Sequence, residues 1–143
     1  MFFGKYFHSL DNKGRLRLPS KLKVGLGETV YVTQGTNGCL FVFPESEFSK
    51  LTEKLAAAPM FNSKIQAPLR MLLSSGVVID EDNQGRFLLP SYLREFAALK
   101  KNVVFVGVGN RVELWSEENW NKNFNVDAQS FDQAMEALAE AGL

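Results

Sequence analysis

Short apolar runs broken by turn residues recur along this chain, twice in the same order. Tyr6-Phe7-His8 leads into DNKGR (11–15), and Val77-Val78-Ile79 leads into DNQGR (82–86). In both places Asp-Asn-x-Gly carries turn chemistry: aspartate accepts from backbone N–H groups two residues on, and glycine supplies a positive φ. A second strand follows, Leu16-Arg17-Leu18 in one place and Phe87-Leu88-Leu89 in the other, each stopped by Pro-Ser, since proline cannot donate to a ladder. Ser20 and Ser91 then stand where a short helical turn can start. Beyond them lies a β-rich pair, Val30–Val32 with Cys39–Phe43 around QGTNG, and Val103–Val106 with Val112–Trp115 around GVGNR. Phe48, Leu51 and Leu55 form an apolar stripe at helical spacing. Residues 61–75 also read as helix, with Pro68 expected to break or restart it. In the tail, Ser130 to Gln133 has capping-box spacing, and Phe131, Met135 and Leu138 form a further stripe.

The pattern is an internal repeat. DNKGRLRLPSKL (11–22) and DNQGRFLLPSYL (82–93) are identical at eight of twelve positions, 71 residues apart. LFVFPESEF (40–48) matches VELWSEENW (112–120), which pairs Phe43 with Trp115 and Phe48 with Trp120. The chain therefore divides into repeat 1 at 5–48, a helical segment at 49–75, repeat 2 at 76–120 and a helical tail at 121–143. Four short strands cannot bury both faces of a sheet alone. Two copies in one chain predict an α+β fold, a pseudo-twofold barrel in which each copy completes the other's core and the helices pack outside.

Composition narrows the chemistry. A chain of 143 residues with 45% hydrophobic and 22% charged positions matches an ordinary globular protein. One cysteine, Cys39, and one histidine, His8, exclude a disulfide framework and sites built on several thiols or imidazoles. No apolar run approaches the ~20 residues of a membrane span, and the start lacks signal-peptide features. A soluble, intracellular protein without metal, cofactor or small-molecule substrate is expected. Catalysis has little to work with: Cys39 sits in an apolar strand, the Asp80-Glu81-Asp82 cluster adjoins a turn, and GVG at 107–109 lacks the third glycine of a nucleotide fingerprint. No catalytic residue is assigned.

Charge distribution says more than the net charge of zero. Residues 1–24 carry Lys5, Lys13, Arg15, Arg17, Lys21 and Lys23 against Asp11 alone. Residues 111–143 carry seven acids against Arg111 and Lys122. The first motif has Lys13, Arg17 and Lys21 where the second has Gln84, Leu88 and Tyr92. Strand alternation is expected to put Lys13, Arg15 and Arg17 on one side and Leu16 and Leu18 on the other. Clustered cations repel unless an anion joins them. Phosphate suits them, and arginine also reads guanine edges in the major groove, which admits a two-stranded ribbon. The DNA-binding candidates are Lys13, Arg15, Arg17 and Lys5. Asp11, Gly14, Asp82, Gly85 and Arg86 are turn residues, structural or adjacent to DNA. The acids of 111–143 are expected to lie away from the Lys13 and Arg15 face. An oligomeric scaffold whose motif face binds an acidic protein is the alternative.

The stretches FGKYFHSLDNKGRLRLP, QGTNGCLFVFP and VVIDEDNQGRFLLPSYLREFAALKKNVVFVGVGNRVELWSEENW, with their spacing, resemble the MraZ family of the SpoVT–AbrB superfamily over nearly the whole chain. The resemblance implies a tandem swapped-hairpin AbrB-like barrel within one chain and a ring-shaped homo-oligomer. It also implies a transcriptional regulator, cytoplasmic and nucleoid-associated, that binds promoter DNA of the division and cell-wall gene cluster containing its own gene. The family's DxxxR positions fall on Asp11 and Arg15 and on Asp82 and Arg86, and its basic residue within the first motif falls on Lys13. Arg17 rests on local charge alone. Pro68, and Phe48 where tryptophan is common, depart from the pattern in the helices.

Overall fold

The computed structural model describes residues 1–124 and 127–143. Positions 125 and 126 of the expected tail lie outside the described residues. Eight strands and six helices occur among the described residues. Repeat 1 contributes β1 (Lys5–Ser9), β2 (Arg15–Arg17), α1 (Ser20–Leu26), β3 (Val30–Gln34) and β4 (Leu40–Pro44). Two helices follow, α2 (Glu45–Ala56) and α3 (Ser63–Ser74). Repeat 2 contributes β5 (Val77–Val78), β6 (Arg86–Leu88), α4 (Ser91–Phe96), β7 (Asn102–Gly107) and β8 (Val112–Ser116), before α5 (Glu117–Phe124) and α6 (Ala128–Glu140).

The strands pair across the repeats. One antiparallel sheet has the order β1-β7-β8-β4-β3-β5, and β2 pairs with β6 in a separate ribbon. Exchanging the repeats maps that order onto itself, which is the expected pseudo-twofold. The first strand of each repeat leaves its own unit: β1 lies on β7, with Phe7 opposite Val104, and β5 lies on β3, with Val77 opposite Val32. The barrel is built as this six-stranded sheet plus the ribbon, around one shared core. Leu16 and Phe87 of the ribbon join Val32, Leu40, Val42, Phe105 and Leu114 of the sheet in a single buried cluster. Helices α1 and α4 close it with Leu22, Leu26 and Leu93.

The other helices pack outside, and the repeat extends into their contacts. Phe43 meets Phe48 of α2 at 5.8 Å between ring centroids, and the matched pair Trp115 and Trp120 of α5 stands at 5.8 Å. Tyr31 stacks on Phe48 at 4.3 Å. By contrast, every residue of α6 is exposed. Its stripe, Phe131, Met135 and Leu138, is exposed.

Two local expectations change, at Pro68 and Ser130, and two details are added. Helix α3 runs through Pro68 without a break; Lys64, whose carbonyl loses its partner, is exposed, so water can solvate that group. Helices α1 and α4 start at Ser20 and Ser91 as expected; Pro19 and Pro90 hold the cap positions without a side-chain cap, and their carbonyls accept the first helical bonds. Asp127 caps α6 by accepting from the Ser130 N–H, 2.8 Å, so Ser130 is inside the helix and forms no capping box. Gly107 serves close packing: a Cβ there would collide with the Phe3 backbone nitrogen, where the N-terminal segment bonds Gly107 and Gly109.

Phe87 is 2% exposed and its strand neighbour Leu88 is 56% exposed. Phe87→Ala should therefore cost about 3–5 kcal/mol, and Leu88→Ala should stay within about 0.5 kcal/mol. Chemical denaturation of both variants checks the contrast.

Candidate nucleic-acid interface

The two DNxGR turns have the same construction. In the first, Asp11 and Arg15 close the loop through the Asp11 N–H to the Arg15 carbonyl, 2.9 Å, and the Gly14 N–H bonds back to the Asp11 carbonyl, 2.9 Å. Asp11 Oδ1 accepts from the N–H groups of Lys13 and Arg15, both at 2.9 Å. Its other oxygen, Oδ2, accepts from Arg15 Nε at 2.7 Å. In the second, Asp82 Oδ1 accepts from Gln84 N–H at 2.8 Å and Arg86 N–H at 2.9 Å, and Oδ2 accepts from Arg86 Nε at 2.9 Å. Gly14 and Gly85 hold φ of 77° and 74°, a region costly for other residues. One carboxylate thus shapes the turn with one oxygen and aims the arginine with the other. The bond uses Nε; among the described residues neither Nη of Arg15 nor of Arg86 donates to a protein acceptor, so both remain available to an external one.

The ribbon presents these arginines together. Arg15 stands opposite Leu88, Leu16 opposite Phe87, and Arg17 opposite Arg86. Leu16 and Phe87 face the core, so alternation turns Arg15, Arg17, Arg86 and Leu88 outward. Like charges directly opposite on a ladder are destabilising, so the Arg17–Arg86 pair favours an anion. The turns precede their antiparallel strands and therefore sit at opposite ends of the ribbon.

The other candidates divide. Lys13 lies in the turn rather than on the strand, because β2 begins at Arg15; alternation therefore governs only Arg15 and Arg17. Lys13 is exposed beside them. Lys5 starts β1, at the far end of that strand from the loop and roughly 14 Å from its close at extended-strand rise, so it is not gathered with the others. Three cations that sequence reading did not single out border the first loop instead. Arg94, Lys100 and Lys101 line a groove with Asp11, Lys13 and Gly14. They belong to repeat 2, and the cross-repeat pairing brings them here: the Leu10 N–H bonds the Lys101 carbonyl at 2.8 Å. The swap itself was the available signal.

Two acids of the C-terminal part, Glu113 and Asp127, are engaged within their own elements. Glu113 is buried, accepting from Arg111 Nη2 at 2.9 Å and from Trp115 Nε1 at 3.2 Å. Glu118 departs from the expected segregation, because it reaches Lys100 at 3.4 Å; α5 packs on β7 and β8, which brings its first turn toward that groove. Elsewhere Cys39 is fully buried and its thiol is pushed up to about 12 by burial, so it stays protonated. Burial holds His8 below its ordinary value, against a backbone hydrogen bond at Arg17. Among the described residues no three His, Cys, Asp or Glu side chains gather into a metal-ion set, and no helix is long and apolar enough to cross a membrane.

Both motif aspartates titrate below their ordinary value of 3.8, chiefly because the arginine N–H of each turn donates to the carboxylate. A lowered folded pKa gives stability that is present above the unfolded value and lost as pH falls through the folded one. Melting temperature should therefore drop as pH is taken below 3.8. The Asp11→Asn/Asp82→Asn variant should melt lower at neutral pH and change less over that acid range. Thermal melts of both proteins across pH 2–7 check it.

Comparison with known proteins agrees with this architecture. The family model described as "MraZ protein, putative antitoxin-like" matches twice, over residues 1–71 and 72–141. The "Transcriptional regulator MraZ" of Heliobacterium modesticaldum is 44% identical over 143 residues, covering all of both chains. The protein of that name from Carboxydothermus hydrogenoformans is 42% identical over 140 residues, 98% of each chain. That from Pediococcus pentosaceus is 42% identical over the full length of both. These relatives are named as regulators and not as enzymes. With two family matches over almost its whole length, each built around one DNxGR turn, the chain belongs to the MraZ family.

Proposed function

We propose that the chain is a non-enzymatic transcriptional regulator that binds duplex promoter DNA through the β2–β6 ribbon and the first DNxGR loop. The observation that carries this reading is the ribbon face: Arg15, Arg17 and Arg86 point outward from a strand pair whose other face is locked into the core. A two-stranded ribbon fits the major groove, and a guanidinium with free Nη groups can bond guanine O6 and N7 together. Lys13, Arg15 and Arg17 form the contact set, and Lys5 stays outside it. Arg86 has the same turn geometry but Gln84 in place of Lys13 beside it, so its share is the smaller. The target is the division and cell-wall gene cluster that contains the chain's own gene, and the site of action is the nucleoid.

One subunit offers few cations, and linked subunits raise effective concentration at tandem sites. The stripe of α6, with Phe131 54%, Met135 40% and Leu138 45% exposed and no partner among the described residues, supports a ring-shaped homo-oligomer, since exposed apolar patches mark interfaces.

Fluorescence anisotropy with a duplex from the promoter upstream of its gene, against a scrambled duplex, tests the reading. Arg15→Ala should abolish the preference for promoter DNA with folding and assembly intact, and Arg86→Ala should weaken it less. Equal losses would sink the asymmetric contact. The slope of log K against log salt should be steeper in magnitude than the roughly −2.7 that three phosphate contacts at −0.9 each give a single subunit; a flat response would favour an acidic protein partner instead. In sedimentation at micromolar concentration the wild type should be an oligomer, and Phe131→Glu/Met135→Glu should shift it to smaller species. A monomeric wild type would end the ring.

A further inference from the structure

The groove beside the first loop has a counterpart beside the second, and the two differ in charge. Around Asp11 stand four cations, Lys13, Arg94, Lys100 and Lys101. Carried across by the motif spacing, Arg94 corresponds to Lys23, which is already engaged in an ion pair with Glu81. Extending the strand registers places Glu28 where the first groove has Lys101, and Gln84 replaces Lys13. The backbone is duplicated, but among the described residues the first copy alone has cations left over.

The first groove is also held in place. Arg94 Nε donates to the Leu89 carbonyl at 3.0 Å, fixing the guanidinium over the turn. A Cβ on Gly14 would meet Arg94 Nη1 at 3.1 Å, so glycine there serves close approach as well as φ. The Leu10 bond to the Lys101 carbonyl pins the other wall. Among the described residues Lys100 pairs with Glu118 alone, and both side chains of that pair are more than 70% exposed, a contact that water and salt weaken.

We propose that this groove is a phosphate cradle: Arg94, Lys100 and Lys101 of repeat 2, with Lys13 of repeat 1, take the phosphodiester backbone that flanks the bases read by the ribbon. The inference rests on the DNA reading above and adds to it the residues of the other repeat. Phosphate contacts fix register without carrying sequence, so the second repeat positions what the first repeat reads. The carboxylate of Glu118 competes with phosphate for Lys100 and so moderates affinity.

Two measurements on the full-length protein test this. In anisotropy titrations, Lys100→Gln/Lys101→Gln should weaken promoter and scrambled duplexes by the same factor. It should also lower the magnitude of the salt slope by about 1.8 per engaged subunit, two phosphates at about 0.9 each. Glu118→Gln should tighten both duplexes about twofold, the effect of releasing one exposed cation. Lys54→Gln/Lys64→Gln, an equal loss of charge on α2 and α3, should change the slope by less than half as much. In NMR titrations with inorganic tripolyphosphate, the Gly14 and Lys101 amides should shift while Gly85 stays put. If duplex binds and the lysine variant keeps the wild-type affinity and slope, the cradle is wrong. If tripolyphosphate shifts Gly14 and Lys101 but no duplex binds, the cradle stands and the DNA reading falls. Shifts of equal size at Gly14 and Gly85 would overturn the asymmetry.

Discussion

Neither repeat can finish its own sheet, and most features of the molecule follow from that. β1 and β5 find their partners in the opposite repeat, and the two three-residue strands β2 and β6 have only each other. A three-residue strand has too few ladder bonds to persist alone. Here the ribbon survives because Leu16 and Phe87 insert into a core that both repeats line. Burial of those two side chains fixes the register, since a slip of one residue would turn both to solvent and three arginines inward. The outward arginine face is thus a by-product of the core constraint: whatever sits between the buried positions must point away.

The turns add precision to that face. An arginine on an exposed strand would sample many rotamers, and ordering it on a ligand would cost conformational entropy. Here a carboxylate four residues earlier already holds Nε, while the same carboxylate holds the backbone N–H groups of the loop. The second copy repeats those bonds to within 0.2 Å. Preorganisation is therefore equal in the two repeats. What differs is the surroundings: Glu81 occupies Lys23 beside one loop, and Arg94, Lys100 and Lys101 stand beside the other.

Much of this was legible in the sequence because its signals are local or repeated. The twelve-residue motif located both turns and both ribbon strands to within one residue, and the matched aromatics Phe43 with Phe48 and Trp115 with Trp120 exposed the shared packing of α2 and α5. Pseudo-symmetry followed from having two incomplete units. What escaped depends on distance along the chain. Arg94, Lys100 and Lys101 lie more than 70 positions from Lys13, and nothing in their own neighbourhood marks them. Lys5 is close to the motif in sequence but an extended strand carries it away. Pro68 misled for another reason: proline's cost in a helix depends on whether water can reach the freed carbonyl, which only exposure reveals.

Net charge was a poor guide to the surface for a related reason. At physiological salt a charge is felt over about 8 Å, so a ligand meets only the local set of groups. Acids equal in number to the bases do not cancel them evenly over the surface: Glu113 is held inside an Arg111 and Trp115 network and Glu81 on Lys23, while Asp11 and Asp82 pair with Arg15 and Arg86 of the ribbon face itself. The last pair shows why the distinction matters. Asp11 lies beside Arg15 and lowers the local charge by one, yet removing it would leave the guanidinium unaimed and the loop N–H groups without their acceptor. A carboxylate that subtracts from the field can still add to recognition, because geometry decides which of the remaining positive charge a phosphate or a base edge can reach.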